Sequence, residues 1–419
     1  MKSAALALSL LLCAGGAFAK DVKVRIAWTR TFPDSSLGIF PDNLGHIAAT
    51  GTENTNIIAL LLNTHGREVA RQIVPLPGIA SATADHSGRI FLTGNDYRSS
   101  AVQCAAFSSR LEDLLWLEQK NLSNAFSPPT TSAGIGAIVP DENGNAAVWG
   151  TWHRGFFLTE FRGDDPGIQS IWDPYQSSPR RPVAGVRARS GEIYFVASSV
   201  VLHFPWITIQ KFTPATRELM TYGANPPVGD SYFLPAAAAC DLDGNLIVVG
   251  WVANDRHTDW RLGNYFTLKM DSQFNTLWSV RYGPLGGLTY NPITIARSVA
   301  VTMRGEIVVS GGIGTVKYSR DGNLLWEAPQ HGDNMSLDRS GNVIFLSQVG
   351  RDDGLYECEI LKLSSDSSLR WQTRFHDDSA SDDWPAGLMT DDDGNVYFAA
   401  LNGEQTTIVK LVEHGHHDD

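Results

Sequence analysis

Polar turns and short apolar runs alternate along this chain in one repeated order. The segments "DLDGNLIVVG" from Asp241 and "DDDGNVYFAA" from Asp391 show the unit, a polar turn with a glycine followed by β-branched and aromatic residues. An apolar run also precedes the turn, as in "AAAAC" before Asp241. Short apolar runs bounded by turn signals are typical of buried strands. The pattern therefore predicts a β-hairpin with its turn in the middle.

This hairpin unit occurs eight times. Each copy has a glycine at its fourth position, where the backbone needs a positive φ, and most copies begin with an aspartate that can cap the turn. The separations between successive glycines run from 36 to 61 residues, the range expected for propeller blades. The eight glycines are Gly45, Gly88, Gly144, Gly191, Gly244, Gly305, Gly341 and Gly394.

Two further strands are predicted after each hairpin. The third alternates apolar and polar positions, as in "YFTLKMDS", and the fourth carries a tryptophan in five copies. A four-stranded sheet cannot bury both of its faces alone, whereas radial stacking of such sheets buries both. The sequence therefore predicts an all-β chain folded as a single eight-bladed β-propeller of four-stranded blades. The five tryptophans are Trp116, Trp172, Trp278, Trp326 and Trp371.

The two ends of the chain complement each other. The last copy stops after its third strand, "TTIVKLV" from Thr406, and has no tryptophan strand. The segment "KVRIAWTRTF" near the N-terminus matches the tryptophan strand "SLRWQTRF", with Trp28 and Phe32 four residues apart. We therefore expect the N-terminal strand to complete the last blade. Seven blades remain an alternative if the region between Gly305 and Gly341 holds an incomplete blade.

The repeat resembles the SBBP family of bacterial β-propeller repeats. The segments "VKYSRDGNLLW" ending at Trp326 and "LKLSSDSSLRW" ending at Trp371 are similar to the second half of that repeat. The resemblance covers about residues 23–412. It implies an exported β-propeller and says almost nothing about activity.

The first residues, "MKSAALALSLLLCAGGAFAK", predict a secretory signal peptide cleaved after Ala19. Cys13 as a lipoprotein anchor is the alternative. Residues 1–19 are thus assigned to the signal peptide, 20–413 to the propeller domain and 414–419 to a disordered tail rich in His and Asp. We expect a secreted, periplasmic or cell-surface protein. No other segment has the ~20 apolar residues needed to span a bilayer.

Charge and cysteine content narrow the possible partners. The 419-residue chain has a formal net charge of −12, which argues against nucleic-acid and anionic-membrane binding. Three cysteines outside the signal peptide, Cys104, Cys240 and Cys358, lie in apolar runs without metal-binding spacing, so buried thiols are expected. The histidine-rich tail could bind a transition metal weakly, but a frayed terminus is favoured. We expect a monomer without a cofactor.

Candidate binding residues lie in the long, variable loops that the repeat predicts for one face. The D-x-x-G turns are short and uniform, whereas the opposite loops differ in length and carry aromatic and charged residues. Variable loops on a rigid scaffold are a common location for binding sites. The predicted binding residues are Trp152, His153, Arg154, Arg181, Arg256, His257, Trp260, Tyr290, His376 and Trp384.

These residues favour a noncatalytic binding or interaction module. Aromatic rings beside charged, hydrogen-bonding groups suit a glycan, peptide or protein ligand. The alternative is a carbohydrate-active hydrolase or lyase on the same face, in which His153, His257 and His376 with nearby carboxylates act as metal ligands or acid/base groups. Because these histidines lie on separate loops, no catalytic or metal-binding residue is assigned.

Overall fold

The chain folds as an all-β ring of eight sheets, in a computed structural model. Within the described residues, no helix is long and apolar enough to cross a membrane. The structure describes residues 23–54, 56–79, 81–95, 101–121, 133–152, 155–161, 168–171, 181–201, 204–224, 232–253, 264–283, 296–332, 334–377, 381–403 and 405–414.

The first half of the ring begins with a lone strand, β1 (Lys23–Phe32), and continues with four blades. Blade 1 contains β2 (Ser35–Pro41), β3 (Ile47–Glu53), β4 (Asn56–Leu62) and β5 (Glu68–Ile73). Blade 2 contains β6 (Ser81–Ala84), β7 (Ile90–Asn95), β8 (Ala101–Phe107) and β9 (Leu114–Asn121). Blade 3 contains β10 (Ala133–Pro140), β11 (Ala146–Trp152), β12 (Gly155–Phe161) and β13 (Ile168–Ile171). Blade 4 contains β14 (Arg181–Arg187), β15 (Ile193–Val201), β16 (Phe204–Thr213) and β17 (Glu218–Ala224).

The second half of the ring contains the remaining four blades. Blade 5 contains β18 (Tyr232–Cys240), β19 (Leu246–Ala253), β20 (Asn264–Met270) and β21 (Thr276–Tyr282). Blade 6 contains β22 (Ala296–Val301), β23 (Ile307–Gly311), β24 (Gly314–Tyr318) and β25 (Leu324–Ala328). Blade 7 contains β26 (Asn334–Leu337), β27 (Val343–Gly350), β28 (Tyr356–Leu363) and β29 (Leu369–Phe375). Blade 8 contains β30 (Asp383–Thr390), β31 (Val396–Asn402), β32 (Gln405–His414) and β1.

The N-terminal strand closes the last blade, as the sequence predicts. The strand order in blade 8 is β1-β32-β31-β30, and β1 pairs antiparallel with β32 from Lys23 opposite His414 to Phe32 opposite Thr406. The alternative of seven blades is wrong, because the short region between Gly305 and Gly341 contributes complete strands to blades 6 and 7.

The D-x-x-G segments form the turns between the first two strands of each blade. All eight repeat glycines have positive φ, for example 84° at Gly244. In the same turn, Oδ1 of Asp241 accepts hydrogen bonds from the backbone N–H groups of Asp243 and Asn245, and its Oδ2 accepts one from the Asn245 side chain. The aspartate therefore caps its own turn, which is the predicted role.

The hydrophobic core lies between neighbouring blades. One cluster joins Leu37 and Ile58 of blade 1 to Met389 and Tyr397 of blade 8, and similar clusters link the other described neighbours. Each sheet thus buries both faces by stacking on the next, with the ring closed through the first and last blades.

Within the described residues, the first, innermost strand of five of the eight blades contains a β-bulge that the repeat pattern does not predict. The pairing of first and second strands shifts register at one residue in each, and a bulge bends a strand and increases its twist. In blade 8 the shift falls between Pro385 and Gly387, close to Trp384. The bulged residues are Gly136, Val183, Ala236, Arg297 and Ala386.

Candidate functional site

The propeller has two faces with different connections. We call the side formed by the D-x-x-G turns and the third-to-fourth hairpins, such as residues 63–67, the turn face. The opposite side, formed by the second-to-third hairpins and the connections between blades, is the loop face. Because the strands are antiparallel and the order is the same in every blade, each connection of one type falls on the same side of the ring.

The structure describes four of the ten predicted binding residues at least in their backbone. Trp152 ends β11 and Arg181 begins β14, so both main chains reach the loop face. His376 and Trp384 belong to the connection from blade 7 to blade 8 and its continuation into β30. The other six predicted residues lie outside the described residues: His153, Arg154, Arg256, His257, Trp260 and Tyr290.

His376 lies against the buried carboxylate of Asp383, the first residue of β30. Nδ1 of His376 is 2.8 Å from Oδ2 of Asp383, and the Asp383 side chain has no solvent exposure. An ionised carboxylate only accepts hydrogen bonds, so Nδ1 of His376 is the donor when Asp383 is ionised. His376, Asp377 and Asp383 together form a group whose ligand atoms all lie within 4.8 Å of one another.

Two amide side chains from the hairpin between β31 and β32 hold these carboxylates in place. Nδ2 of Asn402 donates to Oδ1 of Asp377 at 2.9 Å and to Oδ1 of Asp383 at 3.1 Å. Nε2 of Gln405 donates to Oδ2 of Asp377 at 2.5 Å. The connection between the two blades is therefore fastened onto the tip of blade 8.

An exposed pair of aromatic rings lies beside this polar cluster. Tyr356 begins β28 in blade 7 and Trp384 follows Asp383 in β30 of blade 8, with 6.5 Å between the ring centroids and 35° between the ring planes. The two residues are 44% and 52% exposed, although large aromatic residues are usually well buried. The backbone N–H of Tyr356 donates to Oδ1 of Asp382 at 3.0 Å, which ties the two blades together beneath the rings.

The sequence predicts two residues of this candidate site. His376 and Trp384 were predicted because they lie in a long, variable connection. Tyr356 is absent from the predicted residues because it begins a strand, although it directly follows the polar segment "QVGRDDGL". Asn402 and Gln405 lie at a short hairpin with no compositional signal, and only its position on the loop face could have indicated them.

The turn face also has clefts, and in one of them several charged groups are already paired. One cleft of about 360 Å³ between blades 7 and 8 is lined by Lys362, Arg370 and Glu413 among others. Lys362 and Arg370 both bind the carboxylate of Glu413 there. These contacts join neighbouring blades, so the cleft has a structural role.

The fold defines an eight-bladed β-propeller. Comparison with known proteins supports this fold class and does not assign a more specific function. The chain is similar to the Dos1 propeller, with 11% identity, a TM-score of 0.52 and coverage of 94% of this chain and 95% of that chain. PorZ, a bacterial surface component of the type-IX secretion system of Porphyromonas gingivalis, gives 12% identity, a TM-score of 0.49 and coverage of 87% and 55%. Polysaccharide lyase Uly1 gives 10% identity, a TM-score of 0.49 and coverage of 92% and 99%.

No protein-family model and no curated protein matches the sequence. The resemblance to SBBP repeats therefore stays a prediction, while the propeller architecture that it implied is confirmed. At these identities the similarity to solved structures concerns the fold alone.

Proposed function

We propose that this chain is an exported, noncatalytic β-propeller that binds a glycan on its loop face. The observation that carries the proposal is the exposed pair of rings, Tyr356 and Trp384, beside the polar groups of His376, Asp382 and Asp383. Export follows from the predicted signal peptide and remains part of the proposal.

The chemistry of this surface favours a sugar. A sugar ring presents a face of C–H groups, which packs on an aromatic ring, and an edge of hydroxyls, which hydrogen-bond to carboxylates and amides. The rings of Tyr356 and Trp384 come from different blades, and the hydrogen bond from the Tyr356 backbone N–H to Asp382 fixes the main chain at one of them. This lowers the conformational entropy that is lost on binding. The net charge of −12 favours a neutral or cationic ligand over a polyanion.

A carbohydrate-active hydrolase or lyase at the same place is the second candidate. It is favoured by the contact between His376 and Asp383, because a buried carboxylate that orients a partly exposed histidine is an arrangement suited to general acid–base chemistry. Release of reducing ends or unsaturated uronates from a bound glycan would identify this activity, and the variant His376→Ala should then abolish release without abolishing binding.

Glycan and peptide arrays probed with the full chain and with the double variant Tyr356→Ala/Trp384→Ala test the binding proposal. We expect glycan hits that the double variant loses by at least about tenfold, since aromatic stacking contributes on the order of 1 kcal/mol or more per ring. The control is Met303→Ala, a 70% exposed apolar residue on the turn face, which should bind as the parent does. Peptide hits alone, or glycan hits that the double variant retains, would contradict the proposal.

A further inference from the structure

We propose that His376, Asp377 and Asp383 form a binding site for one divalent transition-metal ion. This inference shares His376 and Asp383 with the glycan proposal, but it rests on the geometry of the polar cluster and does not need the aromatic pair. Zn²⁺ binding and glycan binding are measured separately, so either proposal can fail without the other. The ion would join the connection between blades 7 and 8 to the first strand of blade 8.

The three side chains are already close to the geometry that such an ion requires. Bonds from Zn²⁺ to nitrogen or oxygen are about 2.0–2.2 Å long, so two ligand atoms of one ion lie at most about 4.4 Å apart. The ligand atoms of His376, Asp377 and Asp383 all lie within 4.8 Å of one another. Release of the proton that Nδ1 of His376 shares with Asp383, together with small side-chain rotations, would bring the three ligand atoms onto a common centre.

The buried charge of Asp383 gives the site a reason to attract a cation. The Asp383 side chain is fully buried, and within the described part of the chain His376 is the only basic group within salt-bridge distance of it. Burial of a carboxylate is costly unless a positive charge or several hydrogen bonds compensate it. A divalent ion between Asp383 and Asp377 would neutralise both carboxylates at once.

Neighbouring residues hold the two carboxylate ligands from outside, as in known metal sites. Asn402 and Gln405 donate to the carboxylates, and Nε2 of Gln348 donates to the backbone carbonyl of Asp383 at 3.4 Å. A carboxylate oxygen has two lone pairs, so one that accepts an amide N–H can still bind an ion. Outer contacts of this kind orient the ligands of metal sites.

The donor set indicates the class of metal. One imidazole nitrogen and two carboxylates suit Zn²⁺ or Mn²⁺, whereas Ca²⁺ and Mg²⁺ favour oxygen-only sets. Zn²⁺ should bind more tightly than Mn²⁺ at the same nitrogen and oxygen ligands. Zn²⁺ is therefore the probe of choice.

A second pair of histidine and aspartate in the same chain provides a matched control. On the turn face, Nδ1 of His46 lies 2.7 Å from Oδ2 of Asp42, whose side chain is also fully buried. There Oδ1 of Asp42 accepts the backbone N–H groups of Leu44 and His46 as a turn cap. Among the described residues this pair does not form part of a metal-ligand group, so it should not bind Zn²⁺.

Titration calorimetry with Zn²⁺ tests the site in the full chain, in a background that carries His414→Gln, His416→Gln and His417→Gln. These replacements remove the tail histidines, which could bind Zn²⁺ themselves. We expect one Zn²⁺ per chain and a higher unfolding temperature with the ion, reversed by a chelator. His376→Gln and Asp383→Asn should each weaken binding by more than about 100-fold, because even outer contacts contribute about 10–100-fold.

Two further comparisons complete the test. His46→Gln should bind Zn²⁺ as the background does, and Ca²⁺ should bind much more weakly than Zn²⁺. If Asp383→Asn does not fold, the variant His376→Gln tests the proposal by itself, since His376 is partly exposed and its replacement should not prevent folding. No binding in the background, binding retained by His376→Gln, an equal loss in His46→Gln, or Ca²⁺ binding as tightly as Zn²⁺ would each overturn the proposal.

Discussion

Trp28 and Lys410 come from opposite ends of the chain and donate hydrogen bonds to the same backbone carbonyl, that of Thr64 in blade 1. They are direct partners in the pairing of β1 with β32. Nε1 of Trp28 lies 3.0 Å and Nζ of Lys410 3.2 Å from the Thr64 oxygen. The two chain ends are thus joined to each other and to the next blade at one point.

The same arrangement recurs between other blades. Lys269 and Trp278 both donate to the carbonyl of Arg320, and Lys317 and Trp326 both donate to that of Ser365. Each lysine lies on a third strand and each tryptophan opposite it on the fourth. The repeated tryptophan is therefore a contact between blades as well as a core residue.

Blade 8 has a different acceptor, because its third and fourth strands come from the two chain ends. It has no third-to-fourth turn whose carbonyl could accept from blade 7. Instead, the carboxylate of Glu413, near the end of β32, accepts from Lys362 and Trp371. A side chain thus replaces the missing backbone acceptor at the closure of the ring.

Removal of both hydrogen-bond donors to the Thr64 carbonyl should lower the free energy of unfolding by more than the sum of the two single replacements. We expect Trp28→Phe and Lys410→Met to lower the free energy of unfolding by about 1 kcal/mol each, since one donor remains. The double variant should lose more than the sum, because a partly buried carbonyl is then left without either donor. Urea unfolding of the four proteins measures this coupling.

The control for this cycle is Lys23→Met, an exposed position in the same strand. It should change the free energy of unfolding by less than about 0.5 kcal/mol. Strict additivity of the two variants at Thr64 would show that their donors act independently and would contradict the shared role.

The sequence predicted the blades and their closure because the repeat is local. Asp241 and Gly244 predict a turn and Trp278 predicts a strand. Each of these predictions follows from the neighbouring residues of one repeat unit and does not depend on distant residues. The bulge at Ala386 and the contacts of Asn402 with Asp377 and Asp383 arise between segments that are far apart or in separate turns. No periodicity encodes such contacts, which is why only part of the candidate site could be predicted.

The last glycine of the repeat has a steric role that the pattern alone did not explain. In "DLDGNLIVVG" this residue is Gly250, and a Cβ atom there would lie 2.0 Å from the carbonyl oxygen of Leu234 and 2.8 Å from Cα of Pro235. Gly51 has the same relationship to Ser36 O, at 1.9 Å. At Gly250 and Gly51, the innermost strand therefore approaches the second strand too closely for the glycine to be replaced by a residue with a side chain.

Replacement of Gly250 by alanine should destabilise the fold by about 1–3 kcal/mol, because the backbone of β18 must move. Thermal unfolding measures the effect. Gly350→Ala at the end of β27 is the matched control: its Cβ would meet no atom within 4 Å and its backbone is not left-handed. It should unfold within about 0.5 kcal/mol of the parent, and equal losses in both variants would contradict the steric argument.

The carboxylate of Glu413 should make stability depend on pH in the acidic range. Burial alone would raise its pKa, but hydrogen bonds and charge from Lys362, with Trp371 and Arg370, hold the pKa below its usual value of 4.5. Because the folded-state pKa is lowered, the contribution to stability is complete above the unfolded pKa and is lost as the pH falls through the folded one. We therefore expect the free energy of unfolding to fall as the pH decreases below about 4.5.

The variant Glu413→Gln isolates this contribution. It should be less stable than the parent at pH 7 and show a shallower decrease in stability towards acid, because one titrating group is gone. Denaturant unfolding at a series of pH values measures both. Asp392→Asn, which removes an exposed partner of Arg339 on the same face, should leave the slope unchanged. An unchanged slope in Glu413→Gln would rule out its carboxylate as the source.

The three thiols of the described chain should be nearly inert in the folded protein. Cys104 and Cys358 are fully buried, and burial raises the pKa of Cys240 and Cys358 to about 12. The thiolate is the reactive form, so at pH 8 an aromatic disulfide reagent should react with them about three orders of magnitude more slowly than after unfolding in denaturant. The variant Ser340→Cys adds a thiol at an exposed turn and should react at once with one equivalent. Rapid reaction of the parent would mean that the blades open often enough to expose their cores.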